Sequence, residues 1–239
     1  MKRIALIAAL PSELRPLVHH WTRHGKIATG HIGNLDAVAL AAGMGETAVT
    51  RACEAVLADG NFDTLISLGY AGSLSCGLRA PEAVVVREVV DARTGEIFEA
   101  LQPPHSPANG LKSQRLVTLD HVASPEEKRR LAETHRATLV DMEAATVARF
   151  AQSHNLGFLC FKAVTDGPSD ELPDFNRFTT PDGRLRTAAF AAWAVFHPRY
   201  WRILGELEKN SHAAAHELAK SIVANFASPS EAPGQSALN

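Results

Sequence analysis

Apolar residues gather along the chain in short continuous runs bounded by turn formers, at positions 4–10, 37–42, 64–68, 83–90, 115–119, 138–141 and 158–164. Several of these runs lack the alternation of a half-exposed strand, which points to a central sheet buried on both faces. Between them the spacing of apolar residues changes to that of a helix. Residues 46–59 carry it and stop at Gly60, a residue suited to a helix C-terminal end. In the sequence SPEE, Ser124 can cap a helix, Pro125 fits its first turn and Glu127 can complete a capping box. A third helix is predicted over 143–153, and 186–195 with 197–224 supply a largely helical end. The stretch from Pro11 reads as a loop following the first strand. Strands alternating with helices predict an α/β protein, a three-layer αβα sandwich. Residues 92–109, rich in Pro, Gly and polar side chains, read as a surface excursion that is a candidate lid, and 227–239 as a disordered tail, leaving 1–226 as a single domain.

Composition narrows the function classes. The net charge of −2 provides no field to gather a polyanion, so neither nucleic acid nor an anionic membrane is an expected partner. The opening MKRIALIAALPSEL has two basic residues before an apolar run, but Pro11 and Glu13 interrupt it, so it reads as a buried strand and not a secretory signal. No stretch approaches the roughly 18 uncharged apolar residues of a membrane span. Cys53, Cys76 and Cys160 are far apart and lack CxxC spacing, which favours a reducing, cytoplasmic location over a disulfide framework or structural zinc. The pairs His19–His20 and His212–His216 are joined by no acidic or cysteine cluster, so no metal is expected.

In open α/β sheets reactive groups collect at the carboxyl ends of strands. Glu13 follows the first strand, Asp141 and Glu143 follow the run at 138–141, and Asp166 closes FLCFKAV. Two glycine-rich segments, AAGMG at 41–45 and GYAGS at 69–73, are placed to offer backbone N–H groups to an anion, although glycine at strand ends is also ordinary turn chemistry.

The motifs AALPSEL, AAGMGETAVTRA, LISLGYAGSL, VDMEAATVA and KAVTDG, in that order over residues 1–167, resemble the purine nucleoside and uridine phosphorylase family. The first four and the Thr165–Asp166 pair look like its methylthioadenosine/S-adenosylhomocysteine nucleosidase branch. SPEEKRRLAETHRATLVDME and LPDFNRFTTPDGR, with the helical tail, look more like its hopanoid-associated phosphorylase branch. The resemblance implies the nucleoside phosphorylase fold, with a mixed, partly barrel-like central sheet, and a homo-oligomer, a dimer above the other forms. It implies cleavage of the N-ribosidic bond of a purine nucleoside, most directly hydrolysis of a 5′-substituted adenine nucleoside in methionine salvage. The alternatives are phosphorolysis, of a purine nucleoside or an adenosylhopane-like substrate, and binding without turnover. No cofactor is implied, only inorganic phosphate as co-substrate in the phosphorolytic case.

By the same resemblance Asp166 is the acid that protonates the departing base, a task that burial would assist by raising its pKa. Glu143 grips the ribose hydroxyls as an ionised carboxylate, Met142 lies against the ribose, and Glu13 activates water. Ala9, Met44, Gly69 and Tyr70 belong to the substrate pocket, and Val122 and Ala123 to its base-binding stretch. Plainer roles exist for each: an Asx turn for Asp166, core packing for Met142, helix-terminal acids for Glu143 and Glu13. The chain departs from the family pattern at three places. Ser67 stands where purine phosphorylases carry an arginine, Tyr70 where the family carries serine, and Val122 where the hydrolases stack an aromatic ring. His121 is a substitute stacking partner, and Arg15, Arg51 and Arg87 are the cations left to approach a phosphate.

Overall fold

In the computed structural model, which describes residues 3–104, 114–180, 183 and 186–226, ten strands form one mixed sheet. Strand β1 (Arg3–Ala8) is buried along nearly its whole length because parallel neighbours flank it, β4 (Leu35–Ala41) and β5 (Thr64–Ser73). Beyond β4 the sheet continues as a hairpin, β3 (Ile27–Ile32) and β2 (Thr22–His24). On the other side β5 pairs with both β9 (Leu139–Asp141) and β10 (Gly157–Asp166), while β6 (Ala83–Asp91) and β8 (Gln114–Thr118) connect β10 back to β9. These five strands close on themselves as a barrel, and β1 to β4 extend from it as a wing.

The pleat assigns the layers. Along β10, Phe158, Cys160 and Val164 face a core shared with α2 (Glu46–Ala58) and α4 (Ala144–Ser153), whereas Leu159, Phe161 and Ala163 face α1 (Pro11–Val18) and α6 (Trp201–Phe226). Helices therefore cover both faces, which is the expected αβα sandwich around a partly barrel-like sheet. A third, smaller core joins Val90, Val117 and Val140 to Leu131 of α3 (Pro125–His135) at one end of the barrel.

Local chemistry explains most departures from the sequence reading. The loop expected after β1 is helix α1, whose Pro11 sits in the first turn, where its missing N–H has no helical partner to lose. The β2–β3 hairpin went unread because β2 is three exposed polar residues. The excursion from residue 92 turns back at once, since β7 (Ile97–Glu99) pairs antiparallel with β6, and Arg149 of α4 holds the turn through Asp91 and Glu96. Its remainder, 105–109, lies outside the described residues, as does the tail 227–239. Ser124 caps α3 by accepting the Glu127 N–H at 3.2 Å, but the reciprocal half of the capping box is replaced: the Glu127 carboxylate meets His121 and Arg130 instead. The helical end is divided into α5 (Thr187–Val195), a 3-10 turn at Pro198–Tyr200 and α6. Helix α5 is apolar throughout yet buries no residue fully, and Phe190 and Trp193 on it pack against Phe175 and Phe178.

Candidate active site

Strands β1, β5 and β10 run parallel, so their carboxyl ends lie together, and β9, although antiparallel to β5, meets it at that same end through the Gly72–Val140 pairing. A cavity of about 320 Å³ opens there. Ala9, Glu13, Met44, Tyr70, Val122, Ala123, Met142, Glu143 and Asp166 all line it, so groups spread from Ala9 to Asp166 converge on one space. Gly69 stands behind this wall: a Cβ there would lie 2.7 Å from a Glu13 carboxylate oxygen, so the approach requires glycine. Sequence reasoning missed Lys128, Leu172, Phe175, Leu207 and Ser211, which also line it.

Glu13 sits in the first turn of α1 and is 4 % exposed. Its carboxylate accepts the Leu10 N–H at 2.7 Å and the Tyr70 N–H at 2.8 Å. Burial raises its pKa, and these two N–H donors with the charge of Lys162 offset only part of the rise. The Tyr70 hydroxyl is buried and makes no well-formed hydrogen bond, Ser12 being its polar neighbour.

Glu143 occupies the position just before α4 and accepts the Gly45 N–H of the AAGMG segment at 3.4 Å. Burial, then the neighbouring Asp141, push its carboxyl up to about 8. This carboxyl therefore keeps its proton to higher pH than an ordinary glutamate, whereas the ribose grip expected from the sequence uses the ionised form. Asp141, in contrast, is tied into the fold. It accepts the Thr118 hydroxyl at 2.7 Å and the Ala144 N–H of α4 at 2.9 Å, and it pairs at 2.7 Å with Lys162, whose side chain is 2 % exposed. Burial opposes the charge of Lys162, but Asp141 and Glu143 more than restore it, so its pKa stands above the ordinary value.

Asp166 reaches the cavity through a bulge in β10 between Val164 and Asp166, a local irregularity that re-aims a side chain. The Gly167 N–H beside it goes to the carboxylate of Asp170, at 2.7 Å. Both carboxylate oxygens of Asp166 are engaged. Thr165 donates its hydroxyl to Oδ1 at 2.8 Å, and Lys128 donates its ammonium to Oδ2 at 2.5 Å and to the Gly167 carbonyl at 2.7 Å. A signal for Lys128 existed: it lies one helical turn before Leu131, on the buried face of α3. Lys162 was the single charge inside the apolar run FLCFKAV.

Val122 and Ala123 form one wall beside His121, whose ring nitrogens lie 2.7 Å from Asp120 and 2.8 Å from Glu127 and whose pKa those carboxylates raise. Among the described residues no arginine lines the cavity, and Arg51 lies with Arg23 and Lys26 along a separate groove. Among the same residues no group of three or more His, Cys, Asp or Glu side chains forms a metal site, and no helix is long and apolar enough to cross a membrane.

Residues 3–118 and 115–195 match the sequence model of the phosphorylase superfamily. The chain belongs to that superfamily. Within the phosphorylase superfamily, the 5′-methylthioadenosine/S-adenosylhomocysteine nucleosidase of Haemophilus influenzae (strain PittEE) is 28% identical over 166 residues, 59% of this chain and 72% of that one. The same nucleosidase from S. pneumoniae, solved with a transition-state inhibitor, superposes with a TM-score of 0.71 at 18% identity, covering 94% of this chain and 98% of the other. The 5′-methylthioadenosine nucleosidase of Arabidopsis thaliana gives 0.68 at 19% identity over 95% and 96% of the two chains. Futalosine hydrolase of Helicobacter pylori strain 26695 gives 0.66 at 15% identity over 94% and 97%. At these identities the structural likeness establishes the phosphorylase-superfamily fold.

Proposed function

We propose that this chain hydrolyses the N-ribosidic bond of a purine nucleoside, with 5′-substituted adenine nucleosides as its substrate class. The relatives named above include nucleosidases acting on such compounds. One observation carries hydrolysis over phosphorolysis. The backbone N–H groups of Leu10, just before α1, and Tyr70, within β5, already donate to Glu13. An anionic co-substrate brought to this place meets a carboxylate where it needs donors, and no arginine among the described lining residues compensates.

Each residue then has a chemical task. Breaking the bond leaves an electron-poor sugar and a base that departs poorly as an anion. Glu143 accepts from the ribose hydroxyls and, once ionised, stabilises positive charge on the sugar. Met142 gives the ribose an apolar, polarizable surface. Glu13 takes the proton of the attacking water, and Asp166 protonates the base, a step typically worth about 100- to 10,000-fold. Val122 and Ala123 border the base, and Ala9, Met44 and Tyr70 close the remaining wall. The same reading makes the enzyme a cytoplasmic homodimer in methionine salvage, with no cofactor.

The test is product analysis. Incubation with methylthioadenosine or adenosylhomocysteine is expected to release free adenine and an unphosphorylated sugar at a rate indifferent to added phosphate. Phosphate-dependent release with a sugar 1-phosphate as product would replace hydrolysis by phosphorolysis.

A further inference from the structure

The assignment above leaves one charged group in the cavity without a task. Lys128 is 1 % exposed, the most deeply buried charge on α3, and it faces the cavity beside the acid that must deliver a proton. Burying an ammonium is costly unless it is paired and hydrogen-bonded, and Lys128 meets both conditions through Asp166 and the Gly167 carbonyl. Both Asp166 oxygens accept hydrogen bonds, Oδ2 from Lys128 and Oδ1 from the Thr165 hydroxyl, so a hydrogen is already directed from Nζ to the carboxylate. The other titratable groups lining the cavity are Glu13, Tyr70, His121, Asp141 and Glu143. Near the pair, Glu127 on α3 is engaged by His121 and Arg130, Asp170 accepts from Gly167, Lys162 is paired with Asp141, and α6 contributes the neutral Asn210, which donates to the Thr165 carbonyl.

We infer that Lys128 is the proton source behind Asp166, so that the departing base is protonated by a two-step relay and not by a lone carboxyl. The inference rests on the ribosidic-cleavage reading and deepens it. As the bond between the sugar C1′ and the base nitrogen breaks, its electron pair leaves with the purine. Lys128 Nζ passes a proton to Asp166 and becomes a neutral amine, and Asp166 hands that proton on to a purine ring nitrogen. Water adds its hydroxyl to C1′ and gives its remaining proton to Glu13. Asp166 ends as it began, and exchange with solvent after product release returns a proton to Lys128 and removes one from Glu13.

Wild type, Lys128→Met and Lys128→Arg are compared from about pH 5 to about pH 10 on methylthioadenosine and on nitrophenyl riboside, whose leaving group departs as a stable phenolate without a proton. With Lys128→Met, Asp166 must carry the proton alone. Its kcat on the nucleoside is expected to stay within about tenfold of wild type at the acidic end and to fall about 100-fold or more below it at the alkaline end, with KM little changed. Lys128→Arg keeps charge and donors but does not surrender a proton, so it is expected to lose about 100-fold across the whole range. On nitrophenyl riboside either variant is expected to lose no more than about tenfold, which shows that the fold and the ribose chemistry persist. Wild-type turnover of the nucleoside by Lys128→Arg overturns the relay, because charge alone then suffices. Equal losses on both substrates overturn it as well, leaving a structural lysine. A wild type that turns over the nitrophenyl riboside but no nucleoside overturns the purine reading and the relay together.

Discussion

Glu143 behaves unlike the ordinary glutamate its letter denotes. Its carboxyl is raised from 4.5 to about 8 by burial and by Asp141, so the folded chain binds that proton more tightly than the unfolded chain does. The stability gained is complete below the unfolded value of 4.5 and is lost as pH climbs through about 8. Glu143→Gln keeps the shape without the titration. It is expected to flatten the dependence of Tm on pH across that window and to melt above wild type at pH 8 and higher, by about 2–4 °C for each kcal/mol relieved. Melting curves at several pH values decide this, and an unchanged slope in the variant would place the proton elsewhere in the cluster of Glu13, Asp141 and Glu143. At this scale the sequence was informative about position and poor about state. Glu13, Glu143 and Asp166 were legible because strand ends can be read from apolar runs. The titration of Glu13 and Glu143 was not, because it depends first on burial and then on charges such as Lys162 that only the assembled fold brings beside them.

Among the elements, β10 buries a charge in mid-strand, since Lys162 stands between the apolar residues Phe161 and Ala163. Its partner Asp141 also caps α4 and accepts from Thr118, so one carboxylate joins β8, β9, β10 and α4. Lys162→Met leaves that carboxylate buried without a cation, which is expected to cost about 3–5 kcal/mol in urea unfolding. Removing the charge on both sides, with Asp141→Asn added, is expected to recover more than half of the loss; a double variant no more stable than the single one would mean that Asp141 matters through its cap alone. The β-strands of the barrel were legible in the sequence because their burial on both faces leaves continuous apolar runs. Helix α1 was hidden by Pro11 and Pro16, which read as breakers although one occupies the first turn. The hairpin β2–β3 was hidden by the opposite cause, an edge strand too short and polar to show any period.

For the whole molecule, alternation of strands and helices was enough to predict the sandwich, and family resemblance supplied the closure of the barrel. Nothing in the letters of β5 and β10 announces that residues 64–73 will pair with residues 157–166, since such a pairing is a property of the assembled chain. The cavity inherits this dependence, because its walls come from α1, β5, β9, β10, α3 and α6 and exist only once all of them have met. The dimer proposed with the enzymatic reading is tested at this scale. Sedimentation equilibrium at micromolar concentration is expected to return twice the mass of the chain, and the mass of one chain under those conditions would remove it. Closure has one more effect. Of the described strands, the loose borders are β2 and β7, each only three residues long. A foreign backbone seeking to zip onto this protein finds almost no template, so self-recognition must run through side chains and the route to ribbon-like aggregates is largely shut.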